Sequence, residues 1–156
     1  MTMCAAPAAS PLVRVQTLHR GMVEVPEQDL ITFVSPLLGF EHLKRFLIYQ
    51  TQPGPMVWLQ SVEDPAAAFC LLDPFAAGLD PDMEIAPSDL ADIGAGSANE
   101  VTVYTVLVLD KDPAQIRTNL RAPILVGKLT QRAKQVVLND QSLPIRFHLR
   151  DAKSRR

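Results

Sequence analysis

Apolar positions along the chain recur in short, alternating runs and not at helical spacing. Leu12–Leu18 and Met22–Val25 flank His19-Arg20-Gly21, a pattern that predicts a hairpin. Leu30–Val34 follows a Pro26–Asp29 turn. Leu47–Gln50 and Met56–Ser61 are separated by Thr51-Gln52-Pro53-Gly54-Pro55, a turn with three breakers. Ala66–Leu72 lies between Asp64-Pro65 and Asp73-Pro74. Val101–Leu109 is the strongest strand: seven of its nine residues are Val, Thr or Tyr. Its alternation puts Val101, Val103, Thr105, Leu107 and Leu109 on one face and Thr102, Tyr104, Val106 and Val108 on the other. Both faces are largely apolar, so a central strand with neither face fully solvated is expected. Ile124–Val126 and Gln135–Leu138 bracket a polar, basic loop, Gly127–Lys134, and Pro144–Leu149 reads as a closing edge strand.

Helix signals are few. Ser88–Gly94 reads as less than two turns, with Ser88 as N-cap and Gly94 as terminator. Glu41–Arg45 and Pro113–Leu120 could each supply a turn or two. The 13 prolines sit almost wholly at the proposed turns. The expected fold class is all-β: at least seven strands in a sandwich or closed barrel, one or two short helices, and under about a fifth of residues helical.

A chain of 156 residues is one domain's length, expected over residues 12–150 between a disordered leader, 1–11, and a disordered basic tail, 151–156. Its 47% hydrophobic content excludes whole-chain disorder. The two cysteines, Cys4 in the Ala/Pro leader and Cys70 in an apolar run, make no disulfide framework and suit a reducing compartment. No stretch is apolar for long enough to span a bilayer, and the N-terminus lacks a positive n-region, so a cytoplasmic location is expected.

Charge sharpens the picture. Residues 46–110 contain ten acids and no Lys or Arg, whereas residues 111–156 contain eleven Lys or Arg against three acids. Either the two tracts neutralise each other in the fold, or the middle presents an acidic face that attracts a basic partner and repels nucleic acid.

Candidate chemistry is sparse. His19, His42 and His148 lie in different elements without metal-ligand spacing, which makes them surface or half-buried imidazoles. Ser61 is not in a Gly-x-Ser-x-Gly elbow, and Gly94-Ala95-Gly96 follows a helix where a phosphate cradle would precede one. The acids of Glu63-Asp64 and Asp80-Pro81-Asp82 are better read as turn formers than as a general acid–base pair. No enzyme, metal or cofactor is expected. The basic C-terminal third has Phe147 as its lone aromatic, which disfavours single-strand RNA binding. Trp58 and Phe69 suit the core, and Phe75, in a loop, suits either a core cap or a partner anchor. A small β-barrel hydrolase or isomerase with an unrecognised site, and an RNA-binding barrel, stay open as alternatives.

Several blocks occur in an order that resembles one family: Gly39-Phe40-Glu41-His42-Leu43-Lys44-Arg45-Phe46, Trp58-Leu59-Gln60-Ser61-Val62-Glu63-Asp64-Pro65, Asp73-Pro74-Phe75, Asn119-Leu120-Arg121-Ala122-Pro123-Ile124, Lys134-Gln135-Val136-Val137-Leu138 and Pro144-Ile145-Arg146. Over about residues 12–150 the chain resembles the flagellar assembly factor FliW family. It departs from the pattern at Leu38, Gly127, Leu143 and Phe147. The resemblance implies a small antiparallel β-barrel-like domain and no enzyme. It implies a cytoplasmic regulator, monomeric when free, that binds the translational repressor CsrA or, alternatively, flagellin before export, and neither nucleic acid nor membrane directly. The expected partner surface joins the two distinctive blocks to the acidic loop: Gln60, Ser61, Glu63, Asp64, Asp73, Phe75, Asp80, Asp82 and Glu84.

Overall fold

The structure, a computed structural model, describes residues 11–151. The leader and basic tail expected at the two ends lie, but for Pro11 and Asp151, outside the described residues. Eleven strands run through the described residues: β1 Leu12–Thr17, β2 Gly21–Pro26, β3 Ile31–Phe33, β4 Arg45–Tyr49, β5 Met56–Ser61, β6 Ala68–Leu72, β7 Val101–Val108, β8 Arg117–Thr118, β9 Ile124–Gly127, β10 Arg132–Gln135 and β11 Phe147–His148. One helix, α1 (Pro87–Asp92), and short 3-10 turns complete the described chain.

Seven strands close a barrel in the order β7-β6-β5-β4-β3-β10-β9 and back to β7. The expected all-β class holds, with one correction: β3 and β10 pair in parallel, at Thr32↔Arg132 and Phe33↔Ala133. An odd number of strands cannot alternate up and down around a ring, so closure demands a parallel pair. β7 is the closing strand. Its first half pairs with β9 and its second half with β8, and the edge strand β11 adds to β8.

Alternation then sorts the side chains. Phe33, Phe46, Leu59, Leu71 and Ile124 point inward and, with half-buried Tyr104 and Val106, fill the barrel. The outer faces are covered in three places. The β1–β2 hairpin covers Leu47 and Tyr49 of β4. α1, through Leu90 and Ile93, covers Val101, Val103 and Leu125. Segments carrying Leu79, Met83, Leu138, Leu143 and Leu149 cover Cys70, Leu72 and Leu107. Both faces of β7 are therefore packed, as its two apolar faces predict. The strand stops at Val108, and Leu109 is exposed instead of sharing the buried face.

Other boundaries shift. β10 begins at Arg132, so the expected Gly127–Lys134 loop shrinks to a turn closed by Gln131 at φ +57°. Val136 and Leu138 remain extended, their N–H groups donating to the carbonyls of Pro123 and Arg121. Gly127 is required by crowding: a Cβ there would lie 2.6 Å from Thr130 Oγ1 and 2.7 Å from the Ile93 carbonyl. The N-cap of α1 is Ala86, not Ser88, because Pro87 occupies the first helical position, where its missing N–H costs nothing. Glu41–Arg45 forms no helix, and Pro113–Leu120 gives a single 3-10 turn, Pro113–Gln115, followed by β8.

Candidate partner-binding groove

The expected partner residues divide sharply. Gln60 and Ser61 are fully buried and cannot touch a partner, which corrects their expected place on a surface. Gln60 lies under the tip of the β1–β2 hairpin. Its Oε1 accepts from the Leu18 N–H at 2.8 Å, and its Nε2 donates to the carbonyls of Ser61 and Pro65, each at 3.1 Å. Ser61 Oγ accepts from the N–H groups of Glu63 and Asp64. Glu63 reaches back to accept from the N–H groups of Lys44 and Arg45, and its carboxylate lies 3.7 Å from the Arg45 guanidinium. Asp64 accepts from Ala66, and Asp73 from Phe75 and Ala76. These are turn-forming bonds of the kind Ser, Asp and Glu make with nearby backbone.

Nor do the two distinctive blocks share a face. β5 and β6 are antiparallel, so Glu63-Asp64 lies at one end of the hairpin and Asp73–Phe75 at the other, where the Asp73 N–H donates to Pro55. Five strand residues separate them, roughly 17 Å. Phe75 remains exposed beside Met83 and Ile85 in a shallow depression.

The acidic segment behaves differently. Asp80 takes φ +44°, a left-handed conformation that Asp tolerates, between buried Leu79 and Pro81. Beyond it the chain alternates: Met83 and Ile85 pack inward, while Asp82 and Glu84 stay exposed. Asp80, Asp82 and Glu84 make no ion pair among the described residues. Asp82 and Glu84 form one wall of a groove of about 320 Å³ whose other wall is Val136–Asp140 with Leu143. Asp89 and Asp140 complete four carboxylates, and among the described residues no Lys or Arg lines it. Val137 is exposed at its rim.

The surrounding cations hold the groove's walls in place. Lys134 Nζ lies 2.8 Å from Asp89 and 2.9 Å from Asp92, tying α1 to β10, and these bonds raise its pKa. Here the basic and acidic tracts do neutralise each other. Arg121 donates from Nε to the Leu143 carbonyl and from Nη2 to that of Gln141, fixing the loop of the opposite wall. Asp140 accepts from the N–H and hydroxyl of Ser142, which lowers its pKa. The wall formed by residues 136–143 was not legible as a site. The usable signal was the acid–apolar alternation of Asp82-Met83-Glu84-Ile85.

Among the described residues no group of His, Cys, Asp and Glu has an arrangement that holds a metal, and no helix is long and apolar enough to cross a membrane.

The sequence profile described as "FliW protein" matches residues 14–149. The chain belongs to the FliW family. The "Flagellar assembly factor FliW" of Caldicellulosiruptor saccharolyticus is 33% identical over 129 residues, covering 83% of this chain and 85% of the relative. That of Syntrophus aciditrophicus is 33% identical over 138 residues, covering 88% and 87%. A "Crystal structure of the flagellar assembly factor FliW" superimposes with a TM-score of 0.81 at 26% identity, over 88% of this chain and 96% of that one. Within this FliW-family chain, the motifs that carry the likeness are largely internal staples: Gln60, Ser61, Arg121 and Lys134 tie loops to the barrel.

Proposed function

We propose that this chain is a cytoplasmic flagellar assembly factor that binds the translational repressor CsrA, relieving repression of flagellin translation, and binds flagellin as an alternative, chaperone-like partner before its export. Its relatives carry the name of assembly factors, which supports a binding role without turnover. The observation that carries the reading of the site is the acidic groove, in which Asp82 and Glu84 have no ion-pair partner among the described residues and lie beside exposed Val137. An RNA-binding protein presents basic patches to phosphate. Carboxylates opposite such a patch accelerate encounter and disfavour RNA held on the same face. Competition between two protein partners needs no covalent step, only mass action.

Calorimetric titration of purified CsrA into the full chain tests this. Asp82→Lys with Glu84→Lys should weaken binding by about tenfold or more and flatten its salt dependence. Prior addition of flagellin should block CsrA. Wild-type affinity and salt dependence in the double variant would exclude the groove as the docking face and direct attention to the basic turn Lys128–Arg132.

A further inference from the structure

β3 pairs with β4 only at Ile31↔Phe46 and Thr32↔Arg45. The far half of β4, Leu47–Tyr49, therefore has β5 on one side and, among the described residues, no strand on the other. The barrel wall is open there, and a cavity of about 570 Å³ enters it. Ile48, Tyr104 and Val126 from the barrel lining meet Val23 and Val25 of the hairpin across this space. Its volume lies within the range that takes small organic ligands.

Thr17 and Gln131 at the opening are hydrogen-bonded to backbone, but its two cations are not paired. Arg20 and Lys128 line it, are exposed, and form no ion pair among the described residues. Asp29 is the one carboxylate in the lining among the described residues, so two cations and one anion leave a charge of +1. Tyr49 also lines the cavity, and its buried hydroxyl has no hydrogen-bond partner among the described residues. Such a hydroxyl has left water without a replacement, which is uncommon in a folded protein. Burial first, and the charge of Asp73 second, raise the Tyr104 pKa.

We infer that this opening is a binding site for a small organic monoanion with an apolar body. Its charged end sits between Arg20 and Lys128, and its body lies along Val23, Ile48 and Val126. A neutral apolar molecule would leave the cations unused, and a dianion would exceed the net charge available.

Octanoate, with 1-octanol as the neutral probe of equal length, tests the assignment on the full chain by amide NMR shifts and calorimetry. Octanoate should give saturable shifts at Ile48, Tyr49, Thr102 and Tyr104 and bind at least about tenfold tighter than octanol. Arg20→Gln with Lys128→Gln changes two exposed side chains, and should reduce octanoate to the octanol level without altering octanol binding. Asp82→Lys with Glu84→Lys should leave octanoate binding unchanged, which separates this site from the groove. The site is overturned by an absence of saturable shifts up to about 10 mM octanoate, by equal affinity for both probes, or by octanoate binding that survives loss of both cations.

Discussion

Two acidic stretches of the same cation-free tract have opposite fates. In Gln60–Asp64 the polar atoms are turned back on the chain: Gln60 bridges the hairpin to the β5–β6 turn, Ser61 and Asp64 close that turn, and Glu63 satisfies the N–H groups ahead of β4. In Asp80–Glu84 the carboxylates face solvent, while Leu79, Met83 and Ile85 hold the segment down. A carboxylate beside free backbone donors becomes part of the fold. A carboxylate on an extended segment pinned by its apolar neighbours stays available to a partner. Charge counted along the chain does not separate the two cases, because the difference lies in which backbone N–H groups come within reach.

The largest expected break in this contrast is Gln60→Ala. It strips the buried partners from the Leu18 N–H and the Pro65 carbonyl and leaves a void, at a cost of about 2–4 kcal/mol in chemical denaturation. A loss below about 1 kcal/mol would mean that the block is not a staple. Ser61→Ala removes the acceptor for two N–H groups, and about 1–2 kcal/mol is expected by the same measurement. Asp82→Asn with Glu84→Gln should move stability by less than about 0.5 kcal/mol, since neither side chain makes an ion pair among the described residues. A larger loss would show that the second region is also built into the fold.

The smallest effect at neutral pH emerges only in alkali. Burial pushes the Cys70 thiol from 9.0 up to about 11, and the Lys134 ammonium is raised by its bonds to Asp89 and Asp92. In both cases the folded state holds its proton more tightly than the unfolded chain. These contributions are therefore complete below pH 9 and are lost as pH rises toward the folded-state values. Denaturation midpoints should fall above pH 9, and less steeply in Cys70→Ala. A flat alkaline profile would contradict the burial of Cys70 and the Lys134 bonds that fix the groove.

Alternation and turn chemistry were enough to make the fold class legible. Val101–Leu109 reads as a two-faced buried strand because both its faces are apolar, and all but Leu109 form β7; Gly94 follows α1 at φ +71°, a conformation glycine adopts without strain. Pairing was not legible. The parallel contact of β3 with β10 joins segments about a hundred residues apart, and it follows from ring closure and not from any local preference. Nor could periodicity show that β4 outruns β3 and leaves the wall open beside Tyr49, because that depends on the lengths of two neighbours. The acidic sign of the middle tract was written in residues 46–110, and so was the outward alternation of Asp82 and Glu84. Only the tertiary structure set Val136–Asp140 opposite them and separated Asp64 from Asp73 by the length of a strand. Local pattern determines which way a side chain points, whereas the neighbour it meets is decided by long-range closure of the chain, where burial and hydrogen-bond satisfaction are settled together.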